Sequence, residues 1–259
     1  MDADAIVRLM DEEEHTTLRA VADAAPKLAL AATKAAEAFG KGGRVVYVGA
    51  GTSGRIATMD AAEMPPTFGI DPSRFAVLLA GGASAGVTAK EDAEDDLRAA
   101  VEAVNALDLT PDDVLIGIAA SGTTPFVVAA IRHARRKGVW TCGIANNPRT
   151  PLLEEADLGI LLDTGPEVLT GSTRLKAGTA QKMALNRIST TAMVLSGKVV
   201  DNLMVDVKPK NEKLRHRCAR IVAELTGLSV EESKVVLERN AYSIRAALTE
   251  HKGSAAPTP

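Results

Sequence analysis

The stretch RVVYVGAGTSGR, residues 44–55, joins a short β-branched run to a glycine-rich loop. The run Arg44–Gly49 has the length of a strand and is bounded by glycine, which is typical of a buried parallel strand. The loop Gly49–Arg55 then leads into a stretch with a helical pattern. Because a strand followed by a helix is the building unit of α/β proteins, these residues predict an α/β fold.

The same alternation of strand and helix continues along the chain. Further strands are predicted over residues 75–79, 113–119, 139–144 and 158–162. Helices are predicted over residues 4–39, 50–63, 91–107, 126–137 and 172–196. We expect Pro65 and Pro66 to end the second of these helices. Together the elements predict a doubly wound parallel sheet flanked by helices.

The chain beyond residue 210 has a different pattern. Residues 211–252 are predicted to be helical, with Ser229 and Glu232 forming a capping box at one helix start. The segment GSAAPTP, residues 253–259, is expected to be a disordered tail. We therefore expect an α/β domain with an N-terminal helix over residues 1–210 and a small helical element over residues 211–252.

The composition excludes several classes of protein. The chain has 259 residues, of which 46% are hydrophobic, 24% charged and 3% aromatic, and this balance is globular. A net charge of −3 argues against a nucleic-acid partner or a membrane surface. The acidic N-terminus predicts no signal peptide, and two cysteines fit a reducing compartment, so we expect a cytoplasmic protein. The apolar runs are too short to span a membrane.

Two loops that follow predicted strands share one chemistry. In Gly49–Arg55 three glycines let backbone amides approach an anion at the start of a helix. The loop Ala120–Pro125 repeats this arrangement with hydroxyl side chains. The candidate phosphate-binding residues in the two loops are Gly51, Thr52, Ser53, Ser121, Gly122, Thr123 and Thr124. The alternative is a pair of ordinary capped turns, where Ser, Thr and Gly are favoured in any case.

Neither loop has the signature of a nucleotide site. The lysine of a P-loop is absent, and the strand predicted at 75–79 runs into Ala80-Gly81-Gly82 instead of the acid of a dinucleotide site. A phosphate held by amides and hydroxyls is therefore the favoured ligand. Such binding is compatible with a net negative charge.

Several longer stretches carry a family resemblance. They are GAGTSGR (49–55), DAAEMPPTFG (60–69), EDAEDD (91–96), GIAASGTTPFV (117–127), GPEVLTGSTRLKAGTAQKMALNRIST (165–190), GKVVDNLMVDV (197–207) and NEKL (211–214). From roughly residue 5 to residue 250 the chain resembles the N-acetylmuramic acid 6-phosphate etherases. These belong to the sugar isomerase (SIS) superfamily, in which the glucokinase regulatory proteins are relatives.

The resemblance implies a fold, an assembly and a reaction. The fold is the SIS α/β fold with a small helical C-terminal element, and the assembly is a homodimer with the site near the subunit interface. The reaction cleaves the lactyl ether of N-acetylmuramic acid (MurNAc) 6-phosphate to N-acetylglucosamine (GlcNAc) 6-phosphate and D-lactate in peptidoglycan recycling. It proceeds by elimination and then hydration, with no metal or cofactor. Two alternatives stay open, a non-catalytic sugar-phosphate-binding regulator and an aldose–ketose sugar-phosphate isomerase.

Two glutamates match the catalytic positions of the family. Glu63 is assigned as the general acid for departure of lactate, and Glu94 as the general base at C2, although the two roles can be exchanged. Without the resemblance, a helix-surface residue and a functional residue are equally good interpretations of Glu63. Glu94 is then one member of a solvated acidic segment.

A second polar group follows Gly171. Ser172 and Lys176 are candidate substrate-binding residues, because Lys176 or Arg174 can neutralise a phosphate or a carboxylate. The alternative is a capped helix start with exposed side chains. Thr123 stands where the family usually has arginine, so the second loop is expected to carry less positive charge.

Overall fold

The chain begins with two helices. The computed structural model describes residues 1–86, 91–209 and 211–254. Helix α1 (Ala3–Asp23) and helix α2 (Ala25–Gly40) are separated at Ala24, so the prediction of a single helix over 4–39 is wrong. Pro26 explains the break: it lies in the first turn of α2, where its missing N–H is harmless, whereas within one long helix it would remove a hydrogen bond.

A parallel sheet with helices between its strands follows. The elements are β1 (Val45–Gly49), α3 (Gly51–Phe68), β2 (Phe75–Leu79), α4 (Leu97–Ala106), β3 (Val114–Ile118), α5 (Pro125–Arg136), β4 (Trp140–Ala145), α6 (Pro151–Glu155), β5 (Leu158–Leu161) and α7 (Lys176–Leu195). The strand order is β2-β1-β3-β4-β5, and all neighbouring pairs are parallel. The predicted doubly wound parallel sheet is confirmed, and the direction of winding changes between β1 and β3.

The buried core explains why these strands form. β1 and β3 are buried along their whole length, as expected for strands that helices cover on both faces. Val46, Val48 and Leu115 of these strands pack with Phe126 and Ile131 of α5 in one apolar cluster. Removal of this surface from water, at about 25 cal/mol per Å², is the main force that holds the layers together.

The predicted end of α3 at Glu63 is wrong, because the helix continues through Pro65 and Pro66 to Phe68. The fixed φ of proline is helical, so the two rings cost N–H hydrogen bonds without forcing the chain out of the helix. The Gly69 N–H then donates to the Pro65 carbonyl at 2.9 Å and closes the last turn.

Two helices begin later than predicted, and in both cases a carboxylate caps the first turn. α4 begins at Leu97 instead of residue 91, and the Asp96 side chain accepts a hydrogen bond from the Ala99 N–H at 2.8 Å. α7 begins at Lys176 instead of residue 172, and the Glu167 carboxylate accepts hydrogen bonds from its first two N–H groups at 3.0 Å. The acidic segment Glu91–Asp95 before α4 forms a short 3₁₀ turn.

The described chain divides into two compact units. The first takes Met1–Ala62 and Pro72–Ala192, and the second takes Glu63–Asp71 and the chain from Met193 onward. Beyond the short helical segment 63–68, the elements of the second unit are the antiparallel strands β6 (Val199–Val200) and β7 (Leu203–Met204) and the helices α8 (Glu212–Thr226), α9 (Val230–Arg239) and α10 (Ile244–Ser254). Val222, Leu237 and Ile244 are central in the apolar cluster that joins its three helices.

Two predictions about the second unit have different outcomes. The capping box is confirmed, because Ser229 and Glu232 each accept a hydrogen bond from the other's backbone N–H. α10 continues to Ser254, and residues 255–259 lie outside the described residues, so the disordered tail stays a prediction. None of the helices in the described ranges combines the length and apolar character that a membrane span requires.

Replacement of Gly54 by alanine is expected to destabilise the first unit. A Cβ at this position would lie 2.3 Å from Leu79 Cδ1 and 2.9 Å from the Gly49 carbonyl oxygen, so α3 would have to move away from the strands. We expect a loss of about 1–3 kcal/mol in the free energy of unfolding. Urea denaturation, monitored by circular dichroism, measures this loss.

Gly40→Ala is the matched control for that variant. A Cβ at Gly40 has no atom within 4 Å, so the variant should be neutral or stabilised by about 0.4–1 kcal/mol. Equal stabilities of the Gly54→Ala and Gly40→Ala variants would contradict the close packing of α3 on β1.

Candidate active site

A polar cleft lies in the first unit at the carboxyl ends of four parallel strands. It has a volume of about 490 Å³. Its lining residues come from the loops after β1, β2, β3 and β4 and from the segment before α7: Ala50, Gly51, Thr52, Ser53, Arg55, Ala80, Ala85, Glu94, Ala119, Ala120, Ser121, Thr124, Asn147, Gly171 and Thr173. The cleft therefore opens where the winding changes direction between β1 and β3, the place at which α/β sheets bind ligands.

The first predicted phosphate loop lines this cleft. Gly51 begins α3 with a φ of +50°, a left-handed conformation that favours glycine. Thr52 is half-buried and Ser53 is buried, so both hydroxyl-bearing residues are in place at the helix N-terminus. The N–H groups and dipole of this helix end provide positive potential without a charged side chain.

The second predicted loop contributes two of its four candidate residues to the cleft. Ser121 and Thr124 line it, with their hydroxyl oxygens 3.5 Å apart. Gly122 is buried beneath them, where a Cβ would lie 2.2 Å from Thr150 Oγ1. Thr123 is exposed and outside the lining, and its N–H donates to Ser121 Oγ at 3.2 Å. Gly122 and Thr123 thus shape the loop from outside the cleft.

The two predicted catalytic glutamates are placed differently. Glu94 lines the cleft from the 3₁₀ turn after β2 and is half-buried. Its Oε1 would lie 2.9 Å from a Cβ at Gly51, so the carboxylate lies close against the first loop. Glu63 is exposed on the part of α3 that belongs to the second unit, and it is not among the lining residues.

Neither of the two candidates before and at the start of α7 is among the lining residues of the cleft. Ser172 is half-buried between the lining residues Gly171 and Thr173. Lys176 is 2% exposed, and its ammonium forms an ion pair with Glu13 of α1 at 2.5 Å. The structure therefore gives the Lys176 charge a partner within the chain.

Arg55 and Asn147 line the cleft although neither was among the predicted site residues. Arg55 is three residues after Thr52 on α3, and this helical spacing places both on one face, which is a signal present in the sequence. Asn147 follows β4, and its side-chain amide donates to the Ala120 carbonyl at 2.9 Å. A single asparagine after a strand gives no comparable signal.

A buried acid, Asp60, holds the helix that carries the first loop. Its carboxylate accepts hydrogen bonds from Tyr47 Oη at 2.9 Å, from Asn186 Nδ2 at 2.7 Å and from Ser189 Oγ at 3.1 Å. These contacts join α3 to β1 and α7. Burial, the largest cause, raises the pKa of Asp60 above 3.8, although the three hydrogen bonds and Lys182 act in the opposite direction.

Fold and cleft together define a class of protein, the SIS-domain proteins. The SIS domain family matches residues 97–189. The N-terminal SIS domain of glucokinase regulatory protein matches residues 27–135, and the C-terminal lid domain of the same protein matches residues 201–256. The fold is also similar to that of a phosphoheptose isomerase from Francisella tularensis, with a TM-score of 0.55 and 20% identity over 76% of this chain and 100% of that one.

Two relatives narrow the class to a family. The chain is 49% identical over 245 residues to the N-acetylmuramic acid 6-phosphate etherase of Deinococcus radiodurans, covering 95% of this chain and 80% of that protein. It is 49% identical over 243 residues to the etherase of Geobacillus thermodenitrificans, covering 94% and 82%. The chain belongs to the N-acetylmuramic acid 6-phosphate etherase family, and the resemblance seen in its motifs is confirmed.

The raised pKa of Asp60 predicts a pH-dependent contribution to stability. The folded state favours the protonated acid, so its contribution is present below about pH 3.8 and is lost as pH rises through the folded pKa. Relative to Asp60→Asn, the wild type should therefore be more stable at about pH 3.5 than at about pH 7. Urea unfolding of both proteins at several pH values measures the difference, and a difference that grows with pH would contradict it.

Proposed function

We propose that the chain cleaves the lactyl ether of MurNAc 6-phosphate and releases D-lactate and GlcNAc 6-phosphate. Family membership supports the substrate, because the two relatives carry the name of this etherase. The observation that carries the proposal within the structure is the Glu94 carboxylate, which lines the same cleft as two loops suited to a phosphate.

The phosphate is proposed to bind between the starts of α3 and α5. Thr52 and Ser53 at one helix, and Ser121 and Thr124 at the other, offer hydroxyl donors beside the free N–H groups of a helix start. Each helix N-terminus carries about half a positive charge. Two of them favour an anion in a chain whose net charge is −3.

Elimination is proposed to start at C2 of the open-chain sugar, where the C1 aldehyde makes the proton acidic. Glu94 takes this proton, the electron pair forms a double bond between C2 and C3, and the bond from C3 to the lactate oxygen breaks. An acid gives its proton to that oxygen. Water then adds across the double bond, with its hydroxyl on C3 and a proton on C2.

Glu63 is proposed as the acid, and the support for this role is the family resemblance. Glu63 is exposed on α3 and outside the cleft lining. A Glu63 variant is therefore a more stringent test of the mechanism than a Glu94 variant. Substrate contacts by four other residues stay predictions: Gly122, Thr123, Ser172 and Lys176. Their places in the structure support a shaping role for the loops around the cleft.

A non-catalytic sugar-phosphate regulator is the second candidate function. Matches to two domains of glucokinase regulatory protein, over residues 27–135 and 201–256, favour it. The two functions differ in turnover: both predict binding of a sugar phosphate, and only the etherase releases lactate.

Incubation with MurNAc 6-phosphate is expected to release D-lactate, measured with a lactate-specific dehydrogenase. Glu94→Gln should lower kcat by about 10²–10⁴-fold, because the general base is removed. Glu63→Gln should lower it by a similar factor if Glu63 is the acid. Asp95→Asn is the matched control: Asp95 is exposed, lies next to Glu94 and does not line the cleft, so the rate should be unchanged.

Each failure in this experiment has its own meaning. Binding without lactate release in the wild type would support the regulator and overturn the etherase. Full activity of Glu94→Gln would overturn the base assignment, and full activity of Glu63→Gln would overturn the acid assignment.

We also propose a homodimer in the cytoplasm. Apolar side chains exposed on one face of α1 support the dimer: Val7 is 57% exposed and so is Leu18, eleven residues later. Cys142 and Cys218, both buried as free thiols, support a reducing compartment.

Sedimentation velocity is expected to give about twice the chain mass of 27.0 kDa. A Val7→Glu/Leu18→Glu double variant should shift the protein toward the monomer, because two charges replace the apolar face. Val235→Glu, at a residue of α9 that is 55% exposed, is the control and should leave the mass unchanged. A monomeric wild type would contradict the dimer.

A further inference from the structure

We propose that Arg55 binds the carboxylate of the lactyl group and so distinguishes the lactyl sugar phosphate from its product. This inference rests on the proposed function, because it assigns a place to the second anionic group of that substrate. Three features carry it: the position of Arg55 in the cleft, the partner that its guanidinium has, and the charges around it.

Arg55 is the one cationic side chain among the described residues that line the cleft. Its Nε–H donates to the Gly86 carbonyl at 3.2 Å, which holds the guanidinium in place. Within the described ranges its two Nη atoms have no hydrogen-bond partner and no carboxylate pairs with it. The Nη edge is thus available for a carboxylate, which a guanidinium binds through two parallel hydrogen bonds.

The strand order places the Gly86 carbonyl that holds Arg55 and the second phosphate loop on opposite sides of β1. Gly86 and Glu94 both follow β2, whereas Ser121 and Thr124 follow β3. β1 lies between these strands, so β2 and β3 are roughly 10 Å apart. A phosphate held between the starts of α3 and α5 therefore leaves the β2 side of the cleft to the rest of the ligand. On that side Glu94 lies against Gly51, and the Gly86 carbonyl holds Arg55.

The position of Glu94 bears on the same end of the cleft. A lactyl carboxylate bound there lies near the Glu94 carboxyl group, and the guanidinium of Arg55 offsets the repulsion between two carboxylates. The basic candidate Lys176 is buried in its ion pair with Glu13. Arg174 is exposed and is not a lining residue. Among the described residues, Arg55 is therefore the cation placed to bind the carboxylate.

Arg55→Gln tests the assignment with two ligands that share the phosphate. MurNAc 6-phosphate has the lactyl carboxylate, and GlcNAc 6-phosphate lacks it. We expect KM for MurNAc 6-phosphate to rise by about 10- to 100-fold, from the loss of a charge-assisted pair of hydrogen bonds. The inhibition constant of GlcNAc 6-phosphate should stay within about twofold. Arg55→Lys keeps the positive charge and loses the two parallel N–H donors of the guanidinium, so it should give an intermediate KM.

Arg98→Gln is the control, because Arg98 is an exposed arginine outside the cleft. The KM of this variant for MurNAc 6-phosphate should not change. Equal weakening of both ligands by Arg55→Gln would assign Arg55 to the phosphate and overturn the proposal. Unchanged values for both ligands would also overturn it. Thermal unfolding shows whether Arg55→Gln folds, and if it does not, Arg55→Lys carries the same comparison.

A failure of the proposed function is distinguishable from a failure of this inference. If the wild type releases no D-lactate, the etherase proposal fails, and both ligands are then titrated directly by calorimetry. A wild-type preference for MurNAc 6-phosphate that Arg55→Gln abolishes would still support the carboxylate contact. Equal affinity of the wild type for the two ligands would overturn it.

Discussion

The parallel register of β1 with its two neighbours is the constraint on which the cleft depends. Gly49, the last residue of β1, is paired with Leu79 at the end of β2 and with Ile118 at the end of β3. The three strands therefore end at one level, and the loops that follow them open into the same space. A shift of register by one residue would turn the side chains of a strand to the opposite face and separate these loops.

Small residues convert this alignment into the site at which we propose that an anion binds. The Gly54 N–H donates to the Ala50 carbonyl at 3.0 Å, and a Cβ at Gly49 would lie 2.8 Å from the Gly54 nitrogen. α3 can therefore begin directly at the strand end, with its first N–H groups at the cleft. Recognition of an anion by backbone groups needs few lysines or arginines, which reconciles the site with a near-neutral chain.

Local patterns were sufficient to predict the strands and the two loops. The prediction of β2 over residues 75–79 agrees with the structure, because a short apolar run between breakers has few alternatives. The starts of helices were harder, since they depend on side-chain contacts: Glu167 caps α7 nine residues before Lys176. The ion pair of Lys176 with Glu13 joins residues 163 positions apart, and no sequence spacing indicates it.

The same contacts explain why the helix starts around the cleft differ in their capacity to bind an external anion. The N-terminus of α7 is occupied by the Glu167 carboxylate, which takes the hydrogen bonds that an external anion would need. At the start of α5 no side chain of the described residues caps the helix, and Ser121 and Thr124, which precede it, line the cleft. Because α7 is neutralised from within the chain, the starts of α3 and α5 are the helix ends at which we propose that the phosphate binds. In that proposed arrangement the reacting end of the ligand lies at Glu94 and Arg55, the two charged residues among the described lining of the cleft.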